Sequence, residues 1–388
     1  MHFSRNFFVS PSQSRSPPAV LIIGLVITTT WLTAQAALAE TITGTFLDRP
    51  DNTAVRLVTY NVYWDSIFDR VNPARAAGFA RVASGLNPDI WAFQELGSIT
   101  QTPPSTSGEL KTLLDAAQPT VGGWQIWKAG SLAIASRWSL SLQVSNISPA
   151  GERPVMAALV DLPDEAFETD LYIINSHYRC CGGSANDPAR QQNSDAIINW
   201  IAQAKTPGGS VELPLNTAIT VLGDFNLVGG LQPLDTLVTG DIQDTTRYGP
   251  DHPPDWDGTA NTVLDARHNG LPSGALWTWR NDGSPFQPGR LDFITYTDSV
   301  LRPAHSFVLN TASMVEADLA ATGLQAFDAL LAGGSGTYDH LPVVMDFVSV
   351  PEPSGFLIAA LACAMFAGLR RQVIDSWVLG SSQNSPLK

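Results

Sequence analysis

Asp339-His340 is the pair in this 388-residue chain with the most chemical potential, because four further polar clusters precede it in similar settings. Asn61 closes the run Leu57-Val58-Thr59-Tyr60, Glu95 closes Trp91-Ala92-Phe93-Gln94, Asp224 and Asn226 end Leu222-Gly223, and Asp292 opens onto Phe293 after Arg290-Leu291. Each cluster sits at the end of a short β-branched or aromatic stretch, where an α/β fold exposes its reactive loops. Carboxylate and amide oxygens are what a hard divalent cation takes as ligands. A histidine beside carboxylates suits proton transfer near neutral pH. Taken singly, each cluster has a plain alternative. An isolated Asp-His is usually a surface pair, an Asn after a strand a turn residue, Glu95 a solvated strand end, and Asp292 a partner for Arg290 across a turn. Five in this order point to one site. His252, His268 and His305 lack such a setting and read as structural or surface residues.

The elements that must position these groups follow from periodicity. Strand-like runs cover Val55–Val62, Asp89–Gln94, Trp124–Lys128, Leu132–Ser136, Val155–Leu162, Leu171–His177, Ala218–Gly223, Leu291–Thr297, Ser306–Leu309 and Pro342–Val350. Helices are expected at Pro73–Leu86 and Pro188–Ala204, each preceded by an N-capping Asn72 or Asp187, and at Glu316–Leu331. In the second helix Ala189, Ile197, Ile198 and Ile201 form the apolar stripe, with Arg190, Gln191 and Gln192 on other faces. Arg190 is as readily a phosphate contact as a solvated side chain. Many strands with few, well-spaced helices imply two sheets packed face to face with helices outside. The stretches Ser98–Gly108 and Val228–Gly289 read as long recognition loops. Within the second, Asp255-Trp256-Asp257-Gly258 lacks a full set of calcium ligands and reads as a solvated turn.

The ends have a different character. Arg5 and Arg15 precede an apolar stretch from Ala19 to Leu32, and Ala37-Leu38-Ala39 offers a cleavage pattern, so residues 1–39 read as a signal peptide, with an uncleaved anchor as the alternative. Val350-Pro351-Glu352-Pro353-Ser354 introduces an apolar run from Gly355 to Leu369 closed by Arg370-Arg371. That run is shorter than the roughly 20 residues of a bilayer span. This layout, residues 350–371, resembles a PEP-CTERM sorting signal, which implies an exosortase-type processing enzyme and transient membrane association. A plain tail anchor is the alternative, and the extension 372–388 departs from the usual pattern.

Residues 40–349 remain as one folded segment, long enough for a large α/β sandwich. The net charge of the chain is −14, and the two ends hold more basic than acidic residues, so the folded segment is more acidic still. Such a surface repels polyanions at long range, although a cation and a local basic groove can reverse the field at a site. Cys180 and Cys181 are adjacent, in a turn with Gly182 and Gly183, and cannot staple distant segments. A vicinal disulfide, a soft-metal site and free thiols all fit. A structural or incidental role is the simpler reading, with a redox role left open.

The clusters, in order and spacing, resemble the endonuclease/exonuclease/phosphatase superfamily over about Val55 to Val350. Leu86-Asn87-Pro88-Asp89, Leu132-Ala133-Ile134-Ala135-Ser136-Arg137, Asn175-Ser176-His177 and Thr278-Trp279-Arg280 add to the match. The resemblance implies an α/β four-layer sandwich of two packed, mainly antiparallel sheets flanked by helices, and a divalent metal, Mg2+ first with Mn2+ or Ca2+ as substitutes. It implies Asn61, Glu95 and Asp339 as metal ligands, Asp339 alternatively as a proton donor. His340 becomes the base, with Asp292 fixing its tautomer and Asp224 orienting the nucleophile or sharing the base role. Asn226 and His177 become donors to the oxygen that gains charge. Tyr63 stands where some relatives carry a second acid, which leans toward a one-metal, deoxyribonuclease-like subtype, as does the histidine at 177. The expected activity is phosphodiester hydrolysis by in-line attack of water in an exported monomer, at the cell surface, in the periplasm or outside the cell. Nucleic acid is the first substrate and a lipid or small phosphoester the second. A silent surface-binding protein on the same fold is the alternative from another class.

Overall fold

The computed structural model describes residues 44–97, 103–330 and 339–350. The expected signal peptide (1–39), the sorting signal beyond Val350 and the extension 372–388 lie outside the described residues. Among the described residues no helix is long and apolar enough to cross a membrane.

Strands β1 (Val55–Asn61), β2 (Ile90–Gln94), β3 (Gln125–Ala129) and β4 (Leu132–Ser136) join β11 (Leu301–Val308) and β12 (Val343–Ser349) in a sheet of order β11-β12-β1-β2-β4-β3. The second sheet, of order β5-β6-β7-β8-β10-β9, holds β5 (Leu140–Val144), β6 (Val155–Val160), β7 (Leu171–His177), β8 (Ala218–Asp224), β9 (Thr262–Val263) and β10 (Asp292–Tyr296). The β1–β2 and β7–β8 pairs are parallel and the others antiparallel. The helices are α1 (Pro73–Leu86), α2 (Ser107–Ala117), α3 (Asn186–Ala204), α4 (Gln232–Thr239), α5 (Thr245–Tyr248) and α6 (Glu316–Thr322).

Central strands are apolar on both faces because both are covered. Leu57, Ile90, Ile134 and Met345 of the first sheet meet Met156, Ile173, Leu222 and Ile294 of the second in one buried layer. On the outer face of the first sheet, Val58, Tyr60, Trp91 and Phe93 receive Phe79, Val82 and Leu86 of α1 and Leu110 and Leu114 of α2. Beneath the second, Tyr172, Ile174, Ile219 and Val221 receive Ile197, Ile198 and Ile201 of α3 and Leu237 of α4. Each fully buried side chain of this kind stabilises by about 1.5–3 kcal/mol. The result is the four-layer α/β sandwich expected from the sequence, with two mixed six-stranded sheets.

Polar groups also cross the apolar layer. Asn175 of β7 donates its amide to Phe93 O (2.9 Å) and Ala133 O (3.0 Å), and Gln94 of β2 donates to Asn175 Oδ1 (2.7 Å). Arg56 of β1, buried, grips both carboxylate oxygens of its cross-strand neighbour Asp346 at 2.6 and 2.7 Å.

Several expectations are revised. Asn72 caps α1 as predicted, accepting from Arg75 N at 3.1 Å. Asp187 caps nothing: α3 begins at Asn186 without a side-chain cap, and Asp187 pairs with Arg190 instead. Arg190 is itself buried against backbone carbonyls, neither solvated nor open to a phosphate. The predicted helix from Glu316 stops at Thr322, where Gly323 takes a left-handed C-cap. Of the expected loops, residues 98–102 of the first lie outside the described residues and α2 takes over only at Ser107, whereas the second contains α4, α5 and β9. Asp255 is no solvated turn residue. It is buried and accepts from Ser299 N at 3.1 Å and Trp256 N at 2.5 Å.

Candidate active site

The parallel pairs set the site. β1 with β2, and β7 with β8, run the same way, and β10 and β12 start where those strands end. Register places His177 opposite Asp224, Asp224 opposite Asp292, and Asn61 opposite Gln94, one residue before Glu95. A glycine is required here: a Cβ on Gly223, at φ 129°, would lie 2.0 Å from Ser176 O of the neighbouring strand. Close approach of β7 and β8 therefore fixes the residue before Asp224.

Glu95 follows β2 in the left-handed region, φ 61°, a strained setting for a non-glycine residue. The turn after β1 matches it, with Tyr63, Trp64 and Asp65 all at positive φ. Asp65, fully buried, holds that turn: its carboxylate accepts from Gly97 N (2.6 Å), Ser105 N (2.9 Å) and Ser105 Oγ (2.5 Å). Asn61 donates Nδ2 to Glu95 Oε1 and to Asp224 Oδ2, both at 3.1 Å, while its Oδ1 accepts from Tyr63 N at 3.1 Å. Asp224 also accepts from Asn226 N (3.0 Å) and Asn226 Nδ2 (2.9 Å). His177 Nε2 stands 3.4 Å from Asp224 Oδ2 and 3.6 Å from Glu95 Oε1.

His340 Nδ1 lies 2.8 Å from Asp292 Oδ2, and its Nε2 faces Asp224 Oδ2 at 3.7 Å. The pair is aligned by the segment around Trp279. Thr278 Oγ1 accepts from both Leu291 N and Asp292 N at 3.0 Å, and Thr278 O accepts from Leu341 N at 2.7 Å. Trp279 donates Nε1 to Asp339 Oδ2 at 2.8 Å.

Burial sets the electrostatics. Burial would lower the His340 pKa, but the carboxylates of Asp292 and Asp224 outweigh it and raise it well above the usual value. His177 goes the other way: burial, then Arg153 and His340, hold it well below, so its ring is neutral. Burial, reinforced by Asp292 and Glu95, pushes Asp224 up to about 7 against the pull of His340. Burial likewise raises Glu95.

Two groups of side chains converge closely enough to share a cation: Glu95, His177 and Asp224; and Asp224, Asp292 and His340. Glu95 Oε2 and Asp292 Oδ1 are buried without a hydrogen-bond partner. An unpartnered buried carboxylate oxygen is costly, and a hard divalent cation would satisfy it. The donor set therefore fits such an ion. Asn61 adjoins the first group, within 3.1 Å of both Glu95 and Asp224, and Asp339 stands outside both groups. As placed, Asn61 turns its NH2 to the carboxylates, and Asp339 lines the same cavity with one oxygen on Trp279.

The groups open into a cavity of about 600 Å3, which also admits Tyr63, Trp279, Phe286, Cys180 and Cys181. Trp279, half-buried, thus borders the site. Sequence reasoning missed Arg153, whose Nη1 stands 2.8 Å from His177 Nδ1, and gave Thr278 no role beyond its place in the Thr278-Trp279-Arg280 match. Arg153 precedes β6 in a loop with no motif, and only the fold brings it to His177.

A sequence profile of the Endonuclease/Exonuclease/phosphatase family matches residues 58–313. No curated protein matches the sequence significantly. Among solved structures, the chain is similar to an endonuclease/exonuclease/phosphatase from Bacteroides vulgatus (14% identity, TM-score 0.46, 76% of this chain and 99% of that one). It is similar to the human Nocturnin catalytic domain (13%, 0.44, 79% and 100%) and to a beta toxin from Staphylococcus aureus (14%, 0.42, 75% and 99%).

Proposed function

The chain belongs to the endonuclease/exonuclease/phosphatase family of phosphoester hydrolases, and from that premise we propose that it hydrolyses phosphodiesters with a divalent cation, Mg2+ first, at the Glu95–His340 site. The observation that carries this is the His340–Asp292 pair facing Asp224, beside a half-buried Glu95 whose Oε2 has no hydrogen-bond partner.

Glu95 would anchor the cation, with His177 and Asp224 in reach. Asn61 would contribute its oxygen only after an amide flip that gives up the Tyr63 N–H, and Asp339 only by turning from Trp279. When bound, the cation would neutralise charge on the phosphoryl group and its leaving oxygen. Asp224, raised toward neutrality and aimed by two Asn226 donors, is better suited than His340 to take the proton of the attacking water. His340, charged and backed by Asp292, would face the oxygens that gain charge and could return a proton to the leaving group. Neutral His177, with Arg153 on its ring, would donate on the same side. The Asn226 amide, held by Asp224 and Tyr178 O (3.2 Å), orients Asp224.

Nucleic acid is the first substrate: Tyr63, Trp279 and Phe286 give the cavity aromatic faces for bases. A lipid phosphodiester is the second reading, favoured by Phe286 and Val228, which stand 70% and 51% exposed at the cavity. Export through residues 1–39, transient membrane association and exosortase-type processing through 350–371, and action as a monomer complete the proposal.

The test is plasmid DNA incubated with the purified protein and Mg2+, beside an EDTA-treated sample and His340→Ala. Nicking abolished in both controls is the expected result. An intact plasmid with wild type removes the nuclease reading and sends the search to lipid and small phosphodiesters.

A further inference from the structure

The turn after β7 carries a pair of thiols that the hydrolytic chemistry does not use. Cys180 and Cys181 border the same cavity as Glu95, His177 and Asp224. Both are free, Cys180 half-buried and Cys181 exposed, with Sγ atoms 2.8 Å apart. The third cysteine, Cys363, is in the tail outside the described residues.

The turn is built, not loose. Buried Arg190 of α3 donates Nη1 to Arg179 O (2.7 Å) and Cys181 O (3.0 Å), and Asn186 donates to Cys181 O (3.3 Å) and Gly182 O (3.1 Å). These donors hold Cys181 at φ 71°, a region non-glycine residues seldom occupy. The same stretch ties into the hydrolytic site. His177 is three residues upstream, Tyr178 N donates to Asp224 O (2.8 Å), and Tyr178 O accepts the Asn226 amide. A covalent change at the pair therefore pulls on a segment that holds His177 and, through Asn226, Asp224.

We propose that Cys180-Cys181 is a thiol modification site at the mouth of the cavity, converted to a vicinal disulfide by low-molecular-weight disulfides, and that this conversion slows hydrolysis. In the first step the exposed Cys181 thiolate attacks one sulfur of the reagent disulfide, and the other leaves as a thiolate. Cys180 then attacks Cys181 Sγ and expels the second reagent thiolate. The two cysteine protons end on the two released thiols, so one reagent disulfide is reduced as the pair is oxidised. Burial, then Cys181 beside it, pushes the Cys180 thiol up to about 11, which leaves the opening step to Cys181. The effect on turnover rests on the phosphodiesterase reading; the modification itself does not.

The experiment treats the reduced full-length protein with oxidised glutathione, with Cys363→Ser in every sample so that only Cys180 and Cys181 supply thiols. Intact mass and hydrolysis of bis-p-nitrophenyl phosphate with Mg2+ are read before, after, and following dithiothreitol. The expected result is a mass lower by two hydrogens with no glutathione retained. Hydrolysis falls roughly tenfold, since a shift of about 1 Å in a catalytic group can cost about 100-fold. Dithiothreitol reverses both. Cys180→Ser should stop at the mixed disulfide and keep one glutathione. An intact Cys180-Cys181 pair that stays unmodified or retains glutathione overturns the site, and a disulfide that forms with hydrolysis unchanged overturns the coupling. A reduced protein that cleaves no phosphoester overturns the phosphodiesterase reading and the coupling together, while the mass readout still decides the modification.

Discussion

Replacing Thr278 with valine tests the claim that one hydroxyl aligns the acid–histidine pair. The side chains are nearly equal in volume, so the change removes the acceptor without opening a cavity, although losing the hydroxyl keeps it from being neutral. Thr278 Oγ1 accepts from Leu291 N and Asp292 N at 3.0 Å, and Thr278 is 1% exposed. Each buried N–H left without a partner costs about 1–3 kcal/mol, so the pair predicts a loss of about 2–6 kcal/mol. Taking about 3 kcal/mol, and about 2 °C per kcal/mol for a domain of this size, the melting temperature should fall by about 6 °C. Urea unfolding followed by tryptophan fluorescence measures the loss directly. Thr278→Ser, which keeps the oxygen, should recover most of it. Under the proposed function Thr278→Val should also lower kcat more than it raises KM, because Asp292 shifts beneath His340. A Thr278→Val protein within about 0.5 kcal/mol of wild type, or a Thr278→Ser protein as unstable as Thr278→Val, would refute the reasoning.

Two further outcomes are expected. Asp292→Asn removes the charge that raises both His340 and Asp224. kcat should fall by about 10²–10⁴-fold, and both limbs of its pH profile should move to lower pH; an unmoved profile would separate Asp292 from the titrating groups. Arg56→Met strands the buried Asp346 carboxylate, and urea unfolding at neutral pH should show a loss of about 3–5 kcal/mol. Burial raises Asp346, but the paired hydrogen bonds from Arg56, with His305 close by at 3.6 Å, more than offset that and hold its folded pKa low. The contribution is therefore present above the unfolded carboxylate value and is lost as pH falls through the folded one, so the gap to wild type should narrow in acid. A gap that is constant down to acid unfolding would count against this account.

The strands bearing the site were legible because both their faces are buried, which writes long β-branched and aromatic runs into the sequence. The edge strand β5, with its exposed middle, and the two-residue β9 leave no such mark. Helix α1 announced itself through Asn72-Pro73, whereas α3 shows that an Asp-Pro pair also serves an arginine clamp. Within the site, residues at strand ends could be read one by one. The roles of Arg153 and Thr278 could not, since Arg153 acts on the His177 ring and Thr278 on the backbone N–H groups of Leu291 and Asp292, contacts that only the folded chain makes. Nor could the proposed preference for Asp224 over His340 as base, which rests on the burial of both groups and the charges around them.

The amides of Asn175 and Gln94 have a consequence of their own. Apolar layers attract without direction, so two greasy sheets could slide by a residue and still bury comparable area. Hydrogen bonds from Asn175 to Phe93 O and Ala133 O hold at one alignment only, and any slip would strand them in a dry interior. The sandwich is thereby keyed, like a shaft in its hub. Half of the reactive groups ride on one sheet and half on the other, so this key, two residues from His177 and one from Glu95, sets the gap they share. Loops that touch none of these groups can then be exchanged for others without retuning the reactive centre.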